Sequence, residues 1–103
     1  MSQKQSTYKA MFIPCDTENN QRKIVELPKG EGYLKAAQGF VGGYIEYTAV
    51  RSGFTEEEMK NMRLVVNEEA LMYNLKPNHY ASLLAGQLLL GDVLLVFDSL
   101  KDS

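Results

Sequence analysis

The hydrophobic pattern of the chain changes its period at a pair of glycines, Gly42-Gly43. Before the pair, the apolar residues of 31–41 recur at three- and four-residue spacing, which is typical of one buried face of a helix. After the pair, alternation over 44–51 predicts a half-buried strand. Gly42 can adopt the left-handed conformation that ends helices, so we expect a helix, a tight reversal and a strand in immediate succession.

Other apolar runs predict the remaining strands. They lie at 8–13, 23–27, 62–66, 70–75 and 93–97, and the run at 70–75 is interpreted as a return strand. The segment 93–97 is the most apolar, and continuous apolar character is typical of a strand that is covered on both faces. We therefore expect it near the centre of the sheet.

Two further helical segments are indicated by their capping residues. Thr55 and Glu58 have the spacing of a capping box, which predicts one helical turn at 56–60. Asn78 is placed to cap a second full helix. That helix would turn four apolar residues towards the core, namely Ala81, Leu84, Ala85 and Leu88.

Together these elements predict an α+β fold, with a single mixed sheet of about five strands and two short helices packed on one face. The chain has 103 residues, which suits one domain. We expect residues 1–7 to form a disordered polar tail and 8–103 to form the domain. A homodimer that hides the sheet edges is one hypothesis, and a monomer is the other.

Composition excludes several classes of function. The formal net charge is −2, without the basic stripe that nucleic-acid binding needs, so no nucleic-acid partner is expected. No run approaches the length of a membrane helix and none resembles a signal peptide, so we expect no membrane partner. Cys15 is the single cysteine, which rules out an intrachain disulfide and favours the cytoplasm. With His79 as the single histidine, neither a metal nor a cofactor is expected.

Several side chains are candidates for a functional surface. Asn67 is suited either to holding a turn or to contacting a ligand. The tyrosines combine apolar area with a hydroxyl, which suits either a contact surface or the core; they include Tyr44, Tyr47, Tyr73 and Tyr80. Four carboxylates would form an acid–base pair only if the fold brought two of them together: Glu46, Glu68, Glu69 and Asp92.

Residues 38–98 resemble a small domain of unknown function that is widespread in phages, other viruses and bacterial mobile elements. The resemblance is carried by a G-G-Y-I-E strand start at 42–46, an N-E-E strand end at 67–69 and a G-D-V strand start at 91–93. Leu75-Lys76-Pro77-Asn78 loosely matches a further segment before a short helix, and Ala70 stands where the family usually has glycine after N-E-E. The resemblance implies a compact α+β fold and a viral or mobile-element origin, hence the host-cell cytoplasm, but no catalytic residues.

Three functional hypotheses follow. The first is a non-enzymatic accessory domain that binds a host or viral protein through Tyr44, Tyr47 and Phe54. The second is a dimer that sequesters a nucleotide-like small ligand between its subunits. Its ligand contacts would come from Asn67, Tyr73 and Arg63. The third is a hydrolase that uses carboxylates such as Glu46 and Glu68. The predicted binding residues are Tyr44, Glu46, Tyr47, Asn67, Glu68 and Tyr73.

Overall fold

The computed structural model describes residues 7–97. Its elements in chain order are β1 (Thr7–Ile13), β2 (Lys23–Pro28), α1 (Tyr33–Val41), β3 (Ile45–Ala49), α2 (Glu56–Met59), β4 (Met62–Asn67), α3 (His79–Ala85) and β5 (Val93–Phe97). Thr7 begins β1 and pairs with Pro28, so it does not belong to the expected tail. Residues 1–6 of that tail lie outside the described residues, as do residues 98–103 of the expected domain.

The five strands form one sheet in the order β2-β1-β5-β4-β3. This confirms the α+β fold and the central position of β5. The expected mixed sheet is not found, because every strand pair among residues 7–97 is antiparallel. β5 lies between β1 and β4, which are distant in sequence, whereas β3 and β4 pair as sequence neighbours.

The helices cover opposite faces of the sheet, which corrects the expected packing on a single face. On one face, Ala37 and Val41 of α1 pack with Leu94 and Val96 of β5. On the other face, α3 packs with a second core that includes Leu95. The side chains of β5 alternate between these two cores, so burial on both sides accounts for its unbroken apolar run.

The predicted helix boundaries are mostly confirmed. Gly42 follows α1 with a φ of 84°, and its N–H donates to the carbonyl of Gln38. Thr55 and Glu58 form both hydrogen bonds of a capping box at α2. The Asn78 side chain caps α3 by accepting from the N–H of Ala81, 3.1 Å away. Among residues 7–97, no helix is long and apolar enough to cross a membrane.

Two structural predictions for the second half of the chain are wrong. The segment predicted as a return strand at 70–75 belongs mainly to a series of turns, in which Asn74 has a left-handed φ of 53°. Leu88 lies beyond the end of α3 and is exposed, so it does not contribute to the core. The turns instead leave several apolar side chains in contact with solvent.

Candidate functional site

A groove of about 1120 Å³ lies at one end of the sheet, where α1 ends, β3 and β5 begin and β4 ends. Its volume lies just above the ~300–1,000 Å³ that is common for ligand sites. Five segments of the chain meet there, so the groove is assembled by the tertiary fold. Its lining comprises Cys15, Lys35, Gln38, Gly39, 41–44, Asn67, Glu69, 73–76, Gly91 and Asp92.

Asn67 fixes the backbone on one side of this groove. Its side-chain nitrogen donates to the carbonyl of Val41 at 3.2 Å, and its side-chain oxygen accepts from the N–H of Glu69 at 2.7 Å. The residue is buried, and these bonds connect the end of β4 to the end of α1. The structure therefore supports the turn-holding interpretation of Asn67. It also puts this residue on the groove lining, so the ligand-contact alternative keeps its geometric basis.

Gly43 permits the close approach of α1 and β4 at this point. A Cβ atom at Gly43 would lie 3.0 Å from the side-chain nitrogen of Asn67, closer than ordinary van der Waals contact. The turn after Asn67 forms without glycine at Ala70. The N–H of Ala70 donates to the carbonyl of Asn67 at 3.1 Å, and Ala70 is buried.

Aromatic side chains lie exposed at the groove. Tyr44 is 63% exposed and Tyr73 is 62% exposed, and both contribute to the lining. The two residues before Tyr73 are also apolar and exposed, Leu71 to 81% and Met72 to 69%. We call these four residues the apolar rim. Tyr44 and Tyr73 share the groove lining, and Leu71 and Met72 directly precede Tyr73 in the chain. Exposed apolar patches are typical of binding sites.

The groove also carries charged residues of both signs. Lys35 and Lys76 supply ammonium groups, and Glu69 and Asp92 supply carboxylates. These four residues come from four different segments of the chain. The groove therefore suits a ligand that combines apolar area with polar or charged groups.

The surroundings of Cys15 disfavour the thiolate form of its side chain. Burial raises the pKa of its thiol, and a hydrogen bond to the Asp92 carboxylate raises it further. The N–H of Cys15 also donates to Asp92 Oδ1 at 3.0 Å. A raised pKa reduces the thiolate fraction at neutral pH, and the thiolate is the form that attacks an electrophile.

Tyr47, Arg63 and Phe54 lie away from the groove. Tyr47 and Arg63 line a smaller cavity of about 290 Å³ with Tyr33, and the Tyr47 hydroxyl donates to the Tyr33 hydroxyl at 3.0 Å. Burial raises the pKa of the Tyr33 hydroxyl. Phe54 packs against the core on the α3 side. The expected patch of Tyr44, Tyr47 and Phe54 is therefore not a single surface.

The candidate carboxylates are divided in the same way. Glu69 and Asp92 line the groove, whereas Glu46 and Glu68 are exposed outside its lining. Glu46 alternates with Tyr47 along β3 and so lies on the α3 face of the sheet, opposite to Tyr47. Glu68 uses its backbone N–H to donate to the carbonyl of Tyr44 at 2.8 Å. Of the six predicted binding residues, the groove lining contains Tyr44, Asn67 and Tyr73.

The sequence interpretation missed several residues of the site. Leu71 and Met72 were assigned to a strand because their apolar character resembles that of a core segment. A signal against that assignment was present, since Asn74 accepts left-handed geometry and Pro77 soon follows. Lys35 and Lys76 carried no local signal, because charged side chains on a helix and in a loop are ordinarily solvated.

Comparisons with known proteins identified no relative of this chain. No family model, no curated protein and no solved structure matches the chain. In the part of the chain that the structure describes, no group of three or more His, Cys, Asp or Glu side chains is arranged to hold a metal ion. The groove and its apolar rim are consequently the features from which a function is argued.

Proposed function

We propose that the protein is a non-enzymatic binding module that holds a segment of another protein, from the host or from a virus, in the groove. The observation that carries the proposal is the exposure of Tyr44 and Tyr73 on a groove whose backbone is held by Asn67. Tyrosine is enriched at protein interfaces because it offers a large apolar area together with a hydroxyl. The resemblance to a viral or mobile-element domain motivates the host or viral origin of the partner.

The energetics favour a protein partner over a compact ligand. An aromatic side chain buries ~150–250 Å² when it is fully covered. Leu71 and Met72 are exposed and lie outside the groove lining, so a partner that covers the whole apolar rim must reach beyond the groove. The hydrogen bonds of Asn67 fix part of the groove before binding, which lowers the entropic cost of association.

The chemistry of the partner segment follows from the lining. An apolar or aromatic side chain would insert beside Tyr44 and Tyr73. Polar groups flanking it would meet Lys35 and Lys76 on one hand and Glu69 and Asp92 on the other. Because both signs of charge are present, the partner segment needs no strong net charge.

Alanine substitutions in the apolar rim test this proposal. We expect Tyr44→Ala and Tyr73→Ala each to weaken capture of the partner from cell lysate by about tenfold or more, as is usual at interface tyrosines. Both side chains are exposed, so the melting temperature should change little. The measurement is quantitative affinity capture followed by mass spectrometry, with thermal melting of each purified variant.

Leu83→Ala is the matched control. Leu83 is 71% exposed, but it lies on α3, which covers the opposite face of the sheet from α1. We expect this variant to retain full capture. Equal capture by wild type, Tyr44→Ala and Tyr73→Ala would contradict the proposal, and so would an equal loss with Leu83→Ala.

A small, nucleotide-like ligand is the second candidate. Its support is that Asn67 and Tyr73 line the same groove and would supply an amide and a stacking ring. Arg63 lies in the smaller cavity, so the cation would come from Lys35 or Lys76 instead. A ligand of this class would be retained as added mass of small-molecule size on the purified protein.

A further inference from the structure

β3 is an edge strand with little protection against pairing. In the described sheet it pairs with β4 on one side only. Its sequence, Ile-Glu-Tyr-Thr-Ala, combines residues that favour strands with a single charge and no proline. The other edge, β2, carries Lys23, Glu26 and Pro28, which are devices that discourage edge pairing. The β3 edge is therefore less protected against pairing with another strand than the β2 edge.

The backbone groups on the open side of β3 can be assigned from the register. The N–H of Glu68 donates to the carbonyl of Tyr44, which continues the pairing of Ile45 with Asn67. In an antiparallel ladder, hydrogen-bonded pairs alternate with pairs whose backbone groups point outward. The N–H and C=O groups of Ile45, Tyr47 and Ala49 consequently point away from β4, to the open edge.

We propose that a second copy of this chain occupies that edge, with the two β3 strands antiparallel about a two-fold axis at Tyr47. Each outward pair of backbone groups then finds a partner. Tyr47 lies opposite Tyr47 of the second copy, and Ile45 lies opposite its Ala49. The two five-stranded sheets become one continuous ten-stranded antiparallel sheet.

In this register, the side chains of one β3 strand are complementary to those of β3 in the second copy. Glu46 lies opposite Thr48 of the second copy, so no two carboxylates meet, and the hydroxyl can donate to the carboxylate. On the α1 face, the two Tyr47 rings lie side by side, and aromatic cross-strand pairs stabilise sheets. On the α3 face, the amide of Gln87 donates to Thr48 Oγ1 at 3.1 Å. That bond brings the exposed Leu88, which follows Gln87, close to the same edge.

Self-pairing would cover an edge strand that has one charge and no proline. A two-fold pair closes on itself and leaves β2 as the outer edge of both sheets. The inference is independent of the proposed function, because the groove lies beyond the start of β3 and only Tyr44 borders both regions.

A charge-swap series at positions 46 and 48 tests the register itself. Thr48→Glu places a carboxylate opposite Glu46 of the second copy twice per dimer, whereas Thr48→Lys places an ammonium group there. We expect wild type and Thr48→Lys to sediment at twice the chain mass of 11.6 kDa. Thr48→Glu should raise the dimer dissociation constant on the order of tenfold, because it creates two like-charge pairs across the strands. The double variant Glu46→Lys, Thr48→Glu should restore the wild-type constant.

Both single variants remove the Thr48 hydroxyl that accepts from Gln87, and they differ from each other in the sign of the introduced charge. The measurement is sedimentation equilibrium over a concentration series, with circular dichroism to confirm folding. A wild-type protein that stays monomeric at its highest soluble concentration would overturn the proposal, as would a dimer constant that is the same for all four proteins. A foreign polypeptide bound to monomeric wild type and lost in Thr48→Glu would assign the edge to another protein and also refute self-pairing.

Discussion

At the scale of single residues, two buried asparagines connect segments that are far apart in the chain. Asn67 connects β4 to the end of α1. The side-chain nitrogen of Asn78 donates to the carbonyls of Ile13 and Gly91, at 2.9 and 2.8 Å, while its oxygen caps α3. The capping role was predictable from local sequence, because it depends on the next three residues. The two long-range carbonyl partners were not, because they are brought near Asn78 only by the complete sheet.

We expect Asn78→Ala to lower the free energy of unfolding by about 3 kcal/mol. The substitution removes a helix cap and leaves two buried carbonyl groups without their donor. Chemical denaturation with urea measures the change. Asn61→Ala is the control, since Asn61 is exposed and its substitution should alter stability by less than about 0.5 kcal/mol. Equal effects of the two substitutions would show that the Asn78 hydrogen bonds do not stabilise the fold.

At the scale of elements, periodicity predicted helices and core strands well and failed where apolar residues are exposed. The helix α1, its end at Gly42 and strands β1, β2, β4 and β5 lie close to their predicted positions. The segment 70–75 was mistaken for a strand, because an apolar run has the same sequence pattern whether it faces a core or solvent. In the fold, a hydrogen bond joins the two ends of this segment: the N–H of Leu75 donates to the carbonyl of Ala70 at 3.1 Å.

Replacing either of two glycines in α1 and at its end by alanine should change the free energy of unfolding, but in opposite directions. Gly39 lies within α1 with open space around it, so Gly39→Ala should stabilise the protein by about 0.5–1 kcal/mol. Gly42 has a φ of 84°, so Gly42→Ala should destabilise it by about 1 kcal/mol or more. Urea denaturation of the two variants alongside wild type gives both values. Stabilisation by both substitutions would contradict the left-handed end of α1.

At the scale of the whole molecule, the fold class and the cover on both faces of the sheet were predictable, and the pairing of the strands was not. The continuous apolar run of β5 already implied cover on both faces of the sheet, which requires helices on both faces. Antiparallel pairing throughout depends on which strands become neighbours, and the chain order leaves this open. The groove was beyond local prediction for the same reason, since five separate segments of the chain contribute to it.

The central claim is that the groove holds a segment of another protein. Native mass spectrometry of the protein, purified gently from cells that contain its partner, tests it most directly. We predict that wild type, whether monomer or dimer of 11.6 kDa chains, carries an additional polypeptide of different mass that is lost from the double variant Tyr44→Ala, Tyr73→Ala. An added mass of small-molecule size alone, or a polypeptide retained by the double variant, would contradict the claim.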